Sequence, residues 1–298
     1  MTSTIAPPTE AGALPPSRRW AILAVILAAE VLDLLDATIT HLAAPTITAS
    51  LGGGASLVQW LGASYALALG VLLVVGGRLG DKYGRRRVFL IGLAGFTAAS
   101  LACGLATGPS VLVAGRLVQG AFGALLIPQG FGILGAVFPR DQIGKAFSAF
   151  GPVLGLSAVG GPILAATLID ANPFGLGWRA MFLINILLGG AALVAAHRLL
   201  PHDSGDRTTV IDAIGSVLLA GAMATLLYGL IDGSTHDWRP LSWASLAGAV
   251  IFFVAFARRQ TTAASPLIRP SLCSPTAGSS PASSWASRSS PPSPACST

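Results

Sequence analysis

Apolar residues dominate eight long stretches of the chain, at about 20–43, 57–77, 87–107, 110–135, 144–169, 180–200, 211–231 and 241–257. Most approach the roughly 20 residues that a helix needs to cross a bilayer. The pattern therefore predicts eight membrane-spanning helices, with boundaries good to about two to four residues. Glycine recurs inside these stretches, as at Gly92, Gly95, Gly120, Gly123, Gly155, Gly160 and Gly161. In water such glycines would weaken a helix. In lipid they let neighbouring helices approach closely.

The polar breaks orient the spans. Alternate connections carry Arg18 and Arg19; Arg78, Lys82, Arg85, Arg86 and Arg87; Arg140 and Lys145; Arg198 and Arg207; and Arg258, Arg259 and Arg269. The connections between them hold Arg179 and Arg239. Basic residues stay on the cytoplasmic side. Both termini are expected there, in a multi-pass protein of the cell membrane. Arg18 and Arg19 followed by an apolar run also fit a secretory leader, but the run is too long for one and further spans follow. Residues 1–17 are rich in Pro, Thr and Ala and read as a disordered lead-in. From 261 to 298 the composition turns to Ser, Pro and Ala, with no periodicity, and is expected to be disordered.

Composition agrees with a bilayer as solvent. Of 298 residues 53% are hydrophobic and only 10% charged, against about 25% charged in soluble domains. The net charge of +6 raises the possibility of nucleic acid, but the basic residues are spread between apolar runs and suit an anionic inner leaflet instead. Three cysteines, at 103, 273 and 296, make no metal or disulfide pattern. No cofactor or metal is expected.

Ionisable residues inside the spans are the candidates for chemistry. Glu30, Asp33 and Asp36 recur at a spacing of three, on neighbouring positions of one helical flank. A carboxylate at the bilayer centre costs about 2.5–3.5 kcal/mol on insertion scales. Burial away from water favours the neutral acid, whereas an ion pair favours the carboxylate. Arg116 lies inside the fourth stretch and needs a partner or a wet cavity; Asp33 and Asp36 are both candidates. Structural roles also fit these groups, as interfacial carboxylates or packing pins.

The run Gly77-Arg78-Leu79-Gly80-Asp81-Lys82-Tyr83-Gly84-Arg85-Arg86-Arg87, here read as a tight, glycine-hinged turn, resembles the loop between helices 2 and 3 of the major facilitator superfamily. Leu35-Asp36-Ala37-Thr38-Ile39-Thr40-His41-Leu42-Ala43-Ala44-Pro45 resembles the first-helix signature of the fourteen-helix drug:proton antiporter branch, with His41 in place of its asparagine. Arg116 to Ala124 resembles the fourth-helix motif of proton-coupled members. Gly160-Gly161-Pro162 resembles the antiporter fifth-helix motif, with Ala165 and Ala166 replacing its paired glycines. Further echoes are Gln59-Trp60, Pro128-Gln129-Gly130, and Trp178-Arg179 with Phe182 and Asn185.

The resemblance covers roughly residues 18–272 and implies an all-α membrane protein. It would have a six-helix N-terminal half at 18–200 and a linker helix pair at 201–260. It implies a transporter, not an enzyme, that exports drugs or other small hydrophobic molecules in exchange for protons, with the proton gradient as energy source. Asp33, Asp36 and Arg116 would couple protons. Gly77, Asp81, Gly84, Arg85 and Arg86 would gate the cytoplasmic side, with the acidic group at a helix N-terminus. Gly160, Gly161 and Pro162 would pack helices. Tyr65, Gln119 and Gln129, together with Ser64, would line the substrate cavity. Partners would be the bilayer, a small-molecule substrate and protons, with no nucleic acid.

Gly130-Phe131-Gly132-Ile133-Leu134-Gly135 has dinucleotide-binding spacing, but it ends an apolar span and lacks the strand that motif needs. On this reading the second transporter half is missing. A homodimer, or a non-transporting remnant or assembly partner, is therefore also expected of such a chain. The tail from about 273 reads as out-of-frame translation. Translating the other two frames past codon 272 is expected to continue into apolar spans, and polar composition in both frames would reject that reading.

Overall fold

The computed structural model describes residues 14–209 and 212–262, and among them every regular element is helical. The expected calls on 1–13 and on the tail from 263 lie outside the described residues. The helices are α1 (Pro16–Leu51), α2 (Gly54–Tyr83), α3 (Arg85–Gly104), α4 (Pro109–Gly123), α5 (Leu126–Val137), α6 (Ile143–Ser148), α7 (Phe150–Ala171), α8 (Arg179–Leu199), α9 (Ala213–Thr235) and α10 (Pro240–Thr262). Two pairs are single spans with a break. Pro109–Val137 and Ile143–Ala171 count with α2, α3, α8, α9 and α10 as seven units long and apolar enough to cross a membrane. The expected first span, α1, is longer than any of them at 36 residues, but Glu30, Asp33 and Asp36 interrupt its apolar run.

Prolines explain where helices break. Pro128 has no N–H for the Ala124 carbonyl, and its ring crowds that group, so α4 ends at Gly123 and α5 restarts at Leu126. The Ala124 carbonyl then lies against Gly76 of α2, so close that any β-carbon there would overlap it. The break between α6 and α7 at Ala149 likewise precedes Pro152. Pro45 and Pro162 sit inside continuous helices, which membrane packing tolerates. That is why α1 runs eight residues past the expected boundary at 43.

The basic turn is not a turn. Gly77 to Tyr83 form the last two turns of α2, and α3 begins at Arg85. Gly84 alone breaks the path, with φ +93°, a backbone region open to glycine. The apolar pattern ends near Gly77 because the helix leaves the apolar layer there, not because the helix stops.

Two apolar clusters stack along the helix axes. One holds Ile22, Ile26, Phe89, Phe96, Leu134 and Ala196. The other holds Ile39, Ile47, Leu61, Leu112, Trp178 and Phe182. On each contributing helix a polar residue lies between them: Asp33 and Asp36 on α1, Ser100 on α3, Arg116 and Gln119 on α4, and Asn185 on α8. Helices α9 and α10 pack as a hairpin and lean on α2. Asp212 caps α9 at Gly215 N (3.0 Å) and meets Arg259 of α10 (3.2 Å). Asp232 at the other end binds Arg239 and Ser242.

Glycine sets the α2–α4 spacing most tightly at Gly120, whose absent side chain would collide with the Tyr65 backbone. Gly120→Ala is expected to destabilise by about 1–3 kcal/mol through overpacking. Gly70→Ala, where nothing lies within 4 Å, is expected to be neutral. Thermal melts in detergent compare the two, and equal melting temperatures would reject this account of the contact.

Candidate functional site

The polar layer is one connected network at the middle of the bundle. Arg116 is 1% exposed and Asp36 2%. The Arg116 guanidinium donates through Nη1 to the Asp36 carboxylate and, at 2.7 Å, to Gln119 Oε1. Its Nε donates to the Leu61 carbonyl at 3.3 Å. Its carbon stands 4.3 Å from the centre of the Tyr65 ring, a cation–π contact. Asn185 donates its amide to the other Asp36 oxygen at 2.6 Å. Gln119 Nε2 donates to Ser100 Oγ at 2.8 Å, and that hydroxyl donates to the Phe96 carbonyl. The Tyr65 hydroxyl donates to Asp33. Five helices, α1, α2, α3, α4 and α8, thus share one set of buried bonds.

The sequence explains how these groups meet. Asp33 and Asp36 lie near the midpoint of α1, one helical turn apart. Arg116 and Gln119 are three residues apart on α4 and share a face. Gly123, one turn further on, leaves room: a β-carbon there would lie 2.8 Å from Asp33 Oδ1 and 3.0 Å from the Tyr65 hydroxyl. Of the two candidate partners for Arg116, the ion pair forms with Asp36; Asp33 takes Tyr65 instead. Glu30, also buried, lies beside Gly130.

The expected cavity residues are packed, not open. Tyr65 and Gln119 belong to the network just described. Gln129 is buried between α2 and α5, donating to the Gly76 carbonyl at 2.8 Å. The hydroxyl of Ser64 is buried and has no hydrogen-bond partner among the described residues. Gly161 lets α7 touch Thr38 of α1, whereas nothing lies near Gly160, and Pro162 continues the helix.

A second polar cluster closes the basic end. Arg85 donates to the Gly132 carbonyl (2.7 Å) and to Asp81 (3.1 Å). A β-carbon at position 132 would overlap the guanidinium, so Arg85 would have to move to admit one. Of the glycines of nucleotide-like spacing, Gly130 lies against Ile26 of α1 and Gly132 against Arg85, whereas nothing lies near Gly135. Arg86 donates to the His197 carbonyl (2.6 Å) and lies 3.0 Å from His202. The carboxylate at the N-terminus of α3 is Asp203, not Asp81: it accepts from the backbone amides of Arg85 and Arg86, where the helix dipole favours negative charge. Asp206 N donates to the Asp81 carbonyl at 2.7 Å. Hydrogen bonds from the Thr208 hydroxyl and amide hold the exposed Asp206 carboxyl below its usual range. Residues 201–209 thus form a strap across the α2–α3 hinge. Gly77 contributes only an ordinary contact with Pro128.

Asn185 entered the sequence reading only as a family echo, and Ser100 and Asp203 not at all. Asn185 is the one amide inside the sixth apolar run, a signal that could have been used. Ser100 and Asp203 carried none, because serine is common in spans and Asp203 lies in a polar connection.

Comparisons with known proteins agree with this architecture. The Major Facilitator Superfamily profile matches residues 26–268. The chain belongs to that superfamily. It is 49% identical to the "Probable actinorhodin transporter" of Streptomyces coelicolor over 257 residues, 85% of this chain and 44% of that protein. It is 38% identical to the "Tetracenomycin C resistance and export protein" of Streptomyces glaucescens, over 84% of this chain and 46% of that protein. The chain therefore spans about half the length of these relatives. A crystal structure of the peptide transporter POT in complex with sulfate shares the fold at 15% identity and TM-score 0.56, covering 82% of this chain and 53% of that one. This is thus a multi-pass membrane protein, and the proteins it resembles are transporters rather than enzymes.

Removing one member of a buried ion pair leaves the other charge uncompensated, at a cost of about 3–5 kcal/mol. Arg116→Gln is expected to destabilise by that amount. Arg116→Gln with Asp36→Asn is expected to recover most of it. Melting temperatures of the two variants in detergent decide; a double variant as unstable as the single would show that the pair does not govern packing here.

Proposed function

We propose that this chain belongs to a proton-coupled exporter of the fourteen-helix antiporter branch, one that moves drugs or other small hydrophobic molecules out of the cell. In that protein residues 18–200 form the first six-helix half and 201–260 a linker pair. It sits in the cell membrane with the basic end in the cytoplasm. Relatives named for an actinorhodin transporter and for tetracenomycin C export support a small-molecule cargo. The runs around Asp36, Arg116 and Gly161 support the branch.

One observation carries the coupling: a charged pair at the centre of a polar network drawn from five helices, buried between two apolar clusters. Ionisable groups at such depth are a default sign of an ion or proton path. A proton on Asp36 cancels its attraction for Arg116. The arginine keeps Gln119 Oε1, the Leu61 carbonyl and the Tyr65 ring as neutral partners, so part of its bonding survives while α1 is released. Proton binding would in this way bias two packings of α1 against α4, as an alternating-access carrier requires. Asp33, held by Tyr65 beside the same arginine, is the second proton site.

The Asp81–Arg85–Gly132 contacts and the Asp203 cap then close the cytoplasmic side. Gly84 is the hinge. Contact of Tyr65 and Gln119 with cargo belongs to the state in which α1, α2 and α4 have separated.

In the full-length carrier, Asp36→Asn is expected to abolish dye efflux driven by an imposed proton gradient in proteoliposomes, while dye binding persists. Asp33→Asn is expected to slow efflux and leave it coupled. Unchanged gradient-driven efflux in the Asp36 variant would remove this residue from the mechanism.

A further inference from the structure

Between α3 and α8, at the basic end, lies a cavity of about 1000 Å3. Its walls are of two kinds. Arg86 and Arg87 come from the first turn of α3, Arg198 from the last turn of α8, and Arg207 from the strap. Deeper along the same two helices, Leu90, Ile91 and Val194 make an apolar wall. Ile91 and Val194 are 47% and 52% exposed, so this wall opens toward the hydrocarbon that surrounds a spanning pair.

The charges are uneven. Arg86 is committed to the His197 carbonyl and His202. Arg87, Arg198 and Arg207 make no hydrogen bond or ion pair with any described residue. The cavity has one carboxylate, Asp203, and it faces the α3 amides. Three guanidinium groups without a counter-charge among the described residues therefore stand around one opening, beside an apolar slot. A second cavity of about 630 Å3 shares Arg87, Ile91 and Arg207 and adds Lys82, which extends the basic rim.

We propose that this groove is a binding site for an anionic phospholipid, its phosphate among Arg87, Arg198 and Arg207 and an acyl chain along Leu90, Ile91 and Val194. Guanidinium groups suit phosphate oxygens, and basic pockets between spanning helices suit anionic headgroups. A soluble phosphate would leave the apolar wall bare. A choline headgroup would bring a fourth cation among three. The bound lipid neutralises arginines on both sides of the strap and so favours its closed position over the α2–α3 hinge. This assignment rests on the bilayer-spanning architecture and not on proton coupling.

The test is native mass spectrometry of the purified chain in mixed micelles with phosphatidylglycerol or phosphatidylcholine. Wild type is expected to retain phosphatidylglycerol with at least about tenfold preference. Arg87→Gln with Arg198→Gln is expected to bring the two lipids to near parity, and Arg87→Lys with Arg198→Lys to keep most of the preference. Arg140→Gln, which removes a basic residue outside the groove, is expected to change nothing. Inorganic phosphate at equal concentration is expected not to displace the lipid. Equal retention of both lipids by wild type, a preference that survives in the glutamine pair, or displacement by inorganic phosphate would each overturn the site. Lipid retention is read without transport, so loss of efflux in the carrier leaves this result separate.

Discussion

The ion pair between Arg116 and Asp36 is the constraint around which the rest of this bundle is arranged. A guanidinium this deeply buried must be surrounded by acceptors, because an unpaired charge away from water is far more costly than any single packing contact. Each acceptor comes from a different helix: Asp36 from α1, the Leu61 carbonyl from α2, and Gln119 from α4 itself. The remaining valences of those acceptors recruit Ser100 of α3 and Asn185 of α8. Satisfying one charge therefore sets the mutual register of five helices.

Apolar packing above and below this layer cannot do the same work. Lipid tails are as apolar as Leu and Ile, so burying those side chains between helices gains little over leaving them in the bilayer. Specificity must come from close backbone contact and from directed polar bonds. Gly76 and Gly120 supply the first, bringing α2 against the α4–α5 span at the Ala124 carbonyl and the Tyr65 backbone. The network supplies the second. The same arrangement suits a switch: a charged pair that one proton can cancel is the part of the structure whose energy depends most steeply on chemical state.

The strap at the basic end repeats this logic at the surface. Asp203 satisfies amides at the start of α3, and Arg85 and Arg86 satisfy carbonyls of α5 and α8. These bonds join the ends of four helices where apolar contact is thinnest. They also leave Arg87, Arg198 and Arg207 exposed at this end.

Much was legible before any coordinates. Hydrophobic run length identified the helices, since a bilayer imposes a length on every span. The isolated acids of α1 and Arg116 announced themselves because charge within such a run is rare. Run length failed where the helix outlives its apolar surroundings. The α2 helix continues through Gly77–Tyr83, and α1 continues past Pro45, since backbone hydrogen bonding does not depend on hydropathy. Pairing was the larger gap: nothing in one dimension distinguishes Asp33 from Asp36 as the partner of Arg116, because one helical turn separates them. Their roles diverge only when Gly120 and Gly123 admit Tyr65 between α1 and α4. Asp203 likewise gains its role from a cap formed 117 residues away in the chain. Local pattern decides which segments become helices; which polar groups share a proton or a charge depends on distances that exist only once those helices pack.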